Sequence, residues 1–367
     1  MNTLKVGTLT FHRTTNYGAV LQTYALQQVL KELDVESEVI DYRSPIIEER
    51  YEKPSFKKLL SIKFWYNTLI YNTFIRDNRK NFHSFLSKYV KTSDIYTTQN
   101  ICEASANYDS IIVGSDQVWN PYCMGWDDNY FLTFANPEQR KSYAASFGIT
   151  ECDEQIKTWI TPLLKQMNDI AVREESGAKL CENLIGYTPK VVLDPTLVLN
   201  RNSWIKIMDK CLEKRPYILL YLLAETKEIF EFANTLSQKT SLPVIYINDR
   251  LLPHKGVKNI FKVAPQQWLA LFNDAEYIIT NSFHGTAFSI NFNKRFWVQL
   301  LPPPSKVNSR IIDLLNLFGL SHRIFSNKCN ILEEINYSQP NERLRDLREK
   351  SVEYIKSIIP EKNNGEQ

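Results

Sequence analysis

"LKVGTLTFHRTTNYGAVLQTYALQQVLKEL" (residues 4–33) joins an apolar run to a long amphipathic segment through a polar turn. Residues 4–11 read as a buried strand. Residues 18–33 set Leu21, Ala25, Val29 and Leu33 on one helical stripe. A second strand follows at 38–42 ("EVIDY"), and strand–helix–strand is how a parallel α/β sheet begins. The alternation continues through "DSIIVG" (109–114), "KSYAASFG" (141–148), "DIAVRE" (169–174), a helix over 175–184 and "KVVLDP" (190–195). It then restarts. Strands at 217–223, 244–248 and 276–280 alternate with helices near 226–239 and 265–274, before a short strand at 295–299, a Pro302–Pro304 turn and a charged helix over roughly 340–359. This pattern predicts two Rossmann-like domains facing a cleft. The first spans 1–200 and carries a basic-aromatic helical insertion over about 45–105; the second spans 201–337, and 338–367 form a C-terminal helix and tail.

The composition suits two packed cores: 367 residues, 43% hydrophobic and 12% aromatic. Apolar runs such as "YILLYLLA" (217–224) are strand-length, far short of a membrane span, and the N-terminus lacks the pattern of a signal peptide. The six cysteines show no CxxC spacing and no disulfide framework, so reduced thiols in a cytoplasmic protein are expected. Residues 53–91 are locally unbalanced, with nine Lys/Arg against the single acid Asp77 and nine interleaved aromatics. They read either as helices with solvated basic faces or as a peripheral contact with an anionic membrane. No nucleic-acid-binding motif accompanies the charge.

Ligands of doubly wound sheets lie beyond the C-terminal strand ends, so the turns carry the chemistry. In "ITNSFHGTAFSINF" (279–292), His284 falls in the first turn of a helix beside Ser282, Gly285 and Thr286. That is either an ordinary capped turn or an anion site in which His284 moves a proton. "HRTTNYGAVLQ" (12–22) offers cap-type residues and Gly18, as a plain βα turn or a ligand turn. "VGSDQVWNP" (113–121) projects Asp116 and Gln117 from a strand end: Asp116 either caps the next segment or orients a hydroxyl, and Trp119 offers a stacking face for a sugar. Arg173 in "AVREESG" (171–177) either grips carboxylate or phosphate bidentately or pairs with Glu174 or Glu175, and Arg310 is a second candidate cation. His12, His83, His254 and His322 lack companions at metal-ligand spacing, so no metal is expected.

Seven stretches taken in order resemble the polysaccharide pyruvyl transferase family. They are "NYGAVLQTYAL" (16–26), "VGSDQVWNP" (113–121), "SYAASFG" (142–148), "VREESG" (172–177), "LDPTLVL" (193–199), "TNSFHGTAFSI" (280–290) and "SRIIDLL" (309–315). The resemblance runs to about residue 325; the region 45–105 carries no family motif. It implies a GT-B-like fold and transfer of the enolpyruvyl group of phosphoenolpyruvate (PEP) to a sugar of a polysaccharide or its lipid-linked precursor. A pyruvate ketal forms and phosphate leaves, with PEP as donor substrate and no cofactor. It further implies that His284 is the catalytic histidine, Asp116 an active-site acid and Arg173 a ligand of the donor's anionic groups. Arg310 and the helix start at Ser282, Gly285 and Thr286 would complete the PEP site; Asn16, Tyr17, Gly18, Gln117 and Trp119 would line the acceptor cleft. The resemblance leads one to expect Asp where this chain carries Asn281, so a role that needs a carboxylate there does not carry over. The expected setting is the cytoplasm, at the inner face of the membrane through residues 53–91. Two other readings fit the residues: a GT-B-like glycosyltransferase using a nucleotide sugar, and a non-enzymatic sugar-binding module.

Overall fold

A computed structural model of the chain describes residues 4–49, 76–248, 254–302, 308–326 and 329–360. The first sheet is built from β1 (Lys5–Leu9), β2 (Glu36–Tyr42), β3 (Thr92–Tyr96), β4 (Ser110–Val113) and β5 (Arg140–Ser142), in the order β3-β2-β1-β4-β5 with every pair parallel. A short pair, β6 (Ala171–Val172) and β7 (Lys190–Val191), extends it through bridges from Lys141 to Asp169 and from Ala145 to Val172. The second sheet joins β8 (Ile218–Tyr221), β9 (Val244–Ile247), β10 (Val257–Ile260), β11 (Tyr277–Thr280) and β12 (Arg295–Val298) in the order β10-β9-β8-β11-β12, again parallel. Counted within each lobe, the two orders are the same, so each sheet has a switch point beside its first strand. This is the expected pair of Rossmann-like, GT-B-like lobes.

Two strands differ from the sequence reading. β3 lies inside the stretch expected to be a helical insertion, and β10 was not expected at all. Both are outermost strands with mostly exposed or half-exposed residues, so neither has the apolar run that marks a buried strand. Of residues 53–91, 53–75 lie outside the described residues. Residues Arg76–Tyr89 form a helix whose Phe82 and Phe85 are buried in the core, the packing expected of a helix with a solvated basic face. Among the described residues, no helix is long and apolar enough to cross a membrane.

The helix Tyr17–Glu32 holds the lobes together. Asn16 caps it by accepting from the Ala19 N–H, and its apolar stripe of Val20, Leu21, Ala25 and Val29 packs on the first sheet. Its polar residues are buried too, and each finds partners. Gln22 donates to Thr10 Oγ1 (2.8 Å) and accepts from the Ser115 N–H (3.2 Å); Gln27 bonds both backbone groups of Lys91. At the start of the helix, Tyr17 stacks on Trp268 of the second lobe (5.5 Å, 16°) and donates to Val263 O (2.8 Å).

The last helix, Ser338–Ile358, returns to the first lobe. Ser351 Oγ accepts from the Leu193 N–H, and Tyr354 donates to Ser142 O. Arg348 of that helix donates to Leu197 O (2.7 Å) and to Asn291 Oδ1 (2.8 Å), so one guanidinium clamps both lobes. Burial pushes its pKa down to about 10. Arg348→Ala removes two charge-assisted hydrogen bonds from partly buried acceptors and should cost about 2–4 kcal/mol, read as a lower urea midpoint with unchanged slope. An unchanged midpoint would show that the clamp contributes nothing.

Candidate functional site

The C-terminal ends of β4, β6 and β11 converge on one buried carboxylate, Asp194. It ends the strand-like segment 192–193, and Pro195 then starts a short helix, which Asp194 caps through the Thr196 N–H (3.0 Å). The same carboxylate accepts from Thr196 Oγ1 (2.7 Å), Ser115 Oγ (2.9 Å) and Arg173 Nη1 (3.0 Å), and His284 Nε2 stands 3.5 Å from it. Burial alone would raise the pKa of Asp194; His284, Arg173 and the Thr196 hydroxyl outweigh it and hold the group far below the usual carboxylate range. Asp194 is therefore a fixed anion at the centre of the seam. Three of its partners come from the first lobe and His284 from the second.

His284 is set by its turn. Ser282 caps the helix Phe283–Asn291 by accepting from the Gly285 N–H, while Thr286 donates back to Ser282 O. A side chain at Gly285 would lie 2.3 Å from Thr280 Oγ1, so glycine is what lets the helix sit this low on β11. Of the hydroxyls expected to bind a donor, that of Thr286 donates within the turn, while Ser282 Oγ accepts there. The N–H groups free of intrahelical partners are those of Phe283 and His284. Asn281 accepts from the Leu223 N–H (2.7 Å) and donates to Ala224 O (2.6 Å), a two-way bond that a carboxylate could not make. The amide at 281 therefore has a structural role here, tying the loop after β8 to the base of the histidine turn.

The His284 ring is boxed in. Nε2 faces Asp194 without completing a hydrogen bond, and Nδ1 lies against Gly18, where an added Cβ would come within 1.9 Å of it. Gly18 is thus the floor of the histidine.

Two arginines flank the same ring, Phe283. The Arg173 guanidinium carbon is 4.2 Å from its centroid and that of Arg310 6.0 Å. Arg173 sits among Asp194 (3.0 Å), Glu174 (3.4 Å) and Asp116 (3.7 Å), which together raise its pKa against the opposing effect of burial. The salt-bridge reading of Arg173 thus holds for Glu174 and not for exposed Glu175, yet its Nη2 is buried with no partner. Arg310 is different. It is buried with an unpartnered Nε and has no ion pair among the described residues; burial and then Arg173 push its pKa down to about 10. Asp313, one turn further on, accepts from the Ser176 N–H and anchors the Arg310 helix, Ser309–Leu317, to the first lobe. The cavity between Arg173, Asp194, Phe283 and Arg310 measures about 30 Å³, the room of a single water.

Of the other expected residues, Asp116 lies in this cluster, with a left-handed backbone (φ 72°) and Oδ1 bonded to the Gln117 N–H. Gln117 accepts from Asn120 Nδ2 (2.8 Å), beside Gly148. Asn16 is exposed at the cleft, and Tyr17 is buried in the seam. Trp119 corrects an expectation. It is fully buried, stacked on Phe131 (5.4 Å, 3°) and bonded through Nε1 to Tyr130 O, so it offers no face to a sugar. Sequence reading missed Asp194 and Ser115. "LDPT" is also what an ordinary capped turn looks like, and no local signal says that this Asp faces a histidine 90 residues away. Among the described residues, no group of three or more His, Cys, Asp or Glu could hold a metal.

The fold and site together define a two-lobed α/β protein with a buried His–Asp pair and two arginines at the seam. The family model for polysaccharide pyruvyl transferase matches residues 16–298, and the chain belongs to that family. No curated protein matches the chain by sequence. Solved structures similar to it include a putative UDP-N-acetylglucosamine 2-epimerase from Listeria monocytogenes (11% identity, 98% of this chain and 99% of that one, TM-score 0.48). The UDP-GlcNAc 2-epimerase of Methanocaldococcus jannaschii is similar at 12% identity (97% and 99%, TM-score 0.47) and the E. coli heptosyltransferase WaaC at 11% (83% and 91%, TM-score 0.38). At these values no functional argument rests on them.

Gly18→Ala should push the His284 ring away from Asp194, moving the imidazole signals of His284 in long-range ¹H–¹⁵N spectra while the fold persists. Unmoved signals would show that the ring is not seated on Gly18.

Proposed function

We propose that the protein transfers the enolpyruvyl group of PEP to a sugar of a polysaccharide or its lipid-linked precursor and closes it into a ketal. The observation that carries this reading is Arg310: a buried guanidinium without a carboxylate, beside a second guanidinium with a free Nη2 and a helix start with free N–H groups. Burying the Arg310 guanidinium without an ion-pair partner is costly unless an anion comes to face it. PEP, with a phosphate and a carboxylate on the same alkene carbon, is a small anion of that kind. It is far larger than 30 Å³, so binding requires the walls of this cavity to move apart.

In this reading His284 delivers a proton to C3 of PEP and C2 becomes oxocarbenium-like. A sugar hydroxyl bonds to C2, the C2–O bond to phosphate breaks, and a second hydroxyl bonds to C2 to close the ring. Two hydroxyl protons are released; one restores His284 and the other leaves with phosphate. Asp194, ionised across the working pH range, stabilises the imidazolium, and Asp116 orients the attacking hydroxyl. A nucleotide-sugar glycosyltransferase remains the competing reading, and the donor separates the two.

PEP at a hundredfold excess over its dissociation constant should stabilise the protein by about 2.7 kcal/mol in thermal unfolding, whereas UDP and GDP should not. Arg310→Ala should abolish that stabilisation and Arg310→Lys restore it poorly, since a point charge lacks the guanidinium fork. Stabilisation by UDP or GDP and not by PEP would overturn the reading. Separately, His284→Gln should lower phosphate release in the presence of acceptor by about 10²–10⁴-fold while PEP stabilisation survives. Near-normal release would move the proton source elsewhere.

A further inference from the structure

His284 and Asn291 stand two turns apart on the helix Phe283–Asn291, so they share one face of it. Both are buried, and both meet the same neighbour, the short helix Pro195–Val198 that Asp194 caps. At one end His284 Nε2 stands 3.5 Å from Asp194 Oδ2. At the other, Asn291 Nδ2 donates to Thr196 O (2.7 Å) and to Leu199 O (2.8 Å). The hydrogen bonds at the far end limit how one helix slides or turns against the other, and the His284–Asp194 separation follows from that. The two helices belong to different lobes, so no local turn sets this spacing.

The Asn291 amide is fully used. Its two N–H bonds face carbonyls, which only accept, and its Oδ1 accepts from Arg348 Nη2 (2.8 Å), which only donates. It therefore fits one way round, and a carboxylate or a hydroxyl could not make all three bonds. A helix of four residues cannot satisfy its own last carbonyls. Here Asn291 takes those of Thr196 and Leu199, Arg348 Nε that of Leu197 (2.7 Å), and Trp204 Nε1 adds a bond to Thr196 O (3.2 Å). Of these three side chains, Asn291 is the one carried by the helix of His284.

We propose that Asn291 is a positioning residue: by tying the helix of His284 to the end of the Asp194 helix, it sets the separation of imidazole and carboxylate. It acts through the two helices, about 10 Å along the axis from His284. The proposal rests on the reading above in that this spacing matters to transfer only if His284 moves the proton. The test uses the full chain as wild type, Asn291→Ala and Asn291→Asp. The first variant removes the amide; the second keeps its shape and the Arg348 partner but turns an acceptor toward two carbonyls. Without PEP, the imidazole signals of His284 in long-range ¹H–¹⁵N spectra should move in both variants. Those of His83 and His254, on other elements, should stay, and the circular dichroism should match the wild type. With PEP and acceptor saturating, phosphate release should fall by up to about 10²-fold, the scale of an ångström-sized misplacement. The PEP concentration for half-maximal rate should change little, as for a group that acts on the chemical step. His284 signals unmoved in the folded variants would overturn the proposal. So would loss of folding in both, which would make Asn291 a stability residue alone. Signals that move with phosphate release undiminished would uphold the proposal and overturn the role of His284 in transfer.

Discussion

The ionised Asp194 carboxylate is the constraint around which the seam is built. A buried anion of this kind is tolerated only when several donors face it, and here they come from Ser115 after β4, Arg173 after β6 and Thr196 on its own turn, with the His284 imidazole opposite. Those groups are spread over some 170 residues of sequence, so their convergence fixes the relative positions of several strand ends at once. His284 is held between that anion and the bare backbone of Gly18, and Gly18 belongs to the helix that also joins the lobes through Tyr17. Chemistry at the histidine and docking of the lobes are therefore not independent.

Charge divides the site into unlike halves. Three carboxylates compensate Arg173, which makes it chiefly a brace, while Arg310 makes no ion pair among the described residues and leaves its Nε without a partner.

How much of this was legible in sequence depended on where each residue's partners lie. Strands buried on both faces, such as Ser110–Val113 and Tyr277–Thr280, announce themselves as apolar runs, and the two-lobed alternation follows from them. The edge strands Thr92–Tyr96 and Val257–Ile260 do not, because half their surface meets water. His284 stood out from its place at a strand-to-helix turn. Trp119 stood out for the same reason and misled, since Phe131 and Phe147, which cover it, come from later in the chain. Asp194 was hidden because its local role, capping a turn, is real and sufficient; its second role exists only in three dimensions.

The most direct test of the account is the fate of solvent hydrogen. The protein is incubated in D₂O with PEP and an acceptor glycoside, and the product is read by ¹H NMR and mass spectrometry alongside released phosphate. The account predicts a pyruvate ketal whose methyl group carries one deuteron, formed one for one with phosphate and lost in His284→Gln. A product that retains the methylene of PEP, or phosphate release without a ketal, would contradict it.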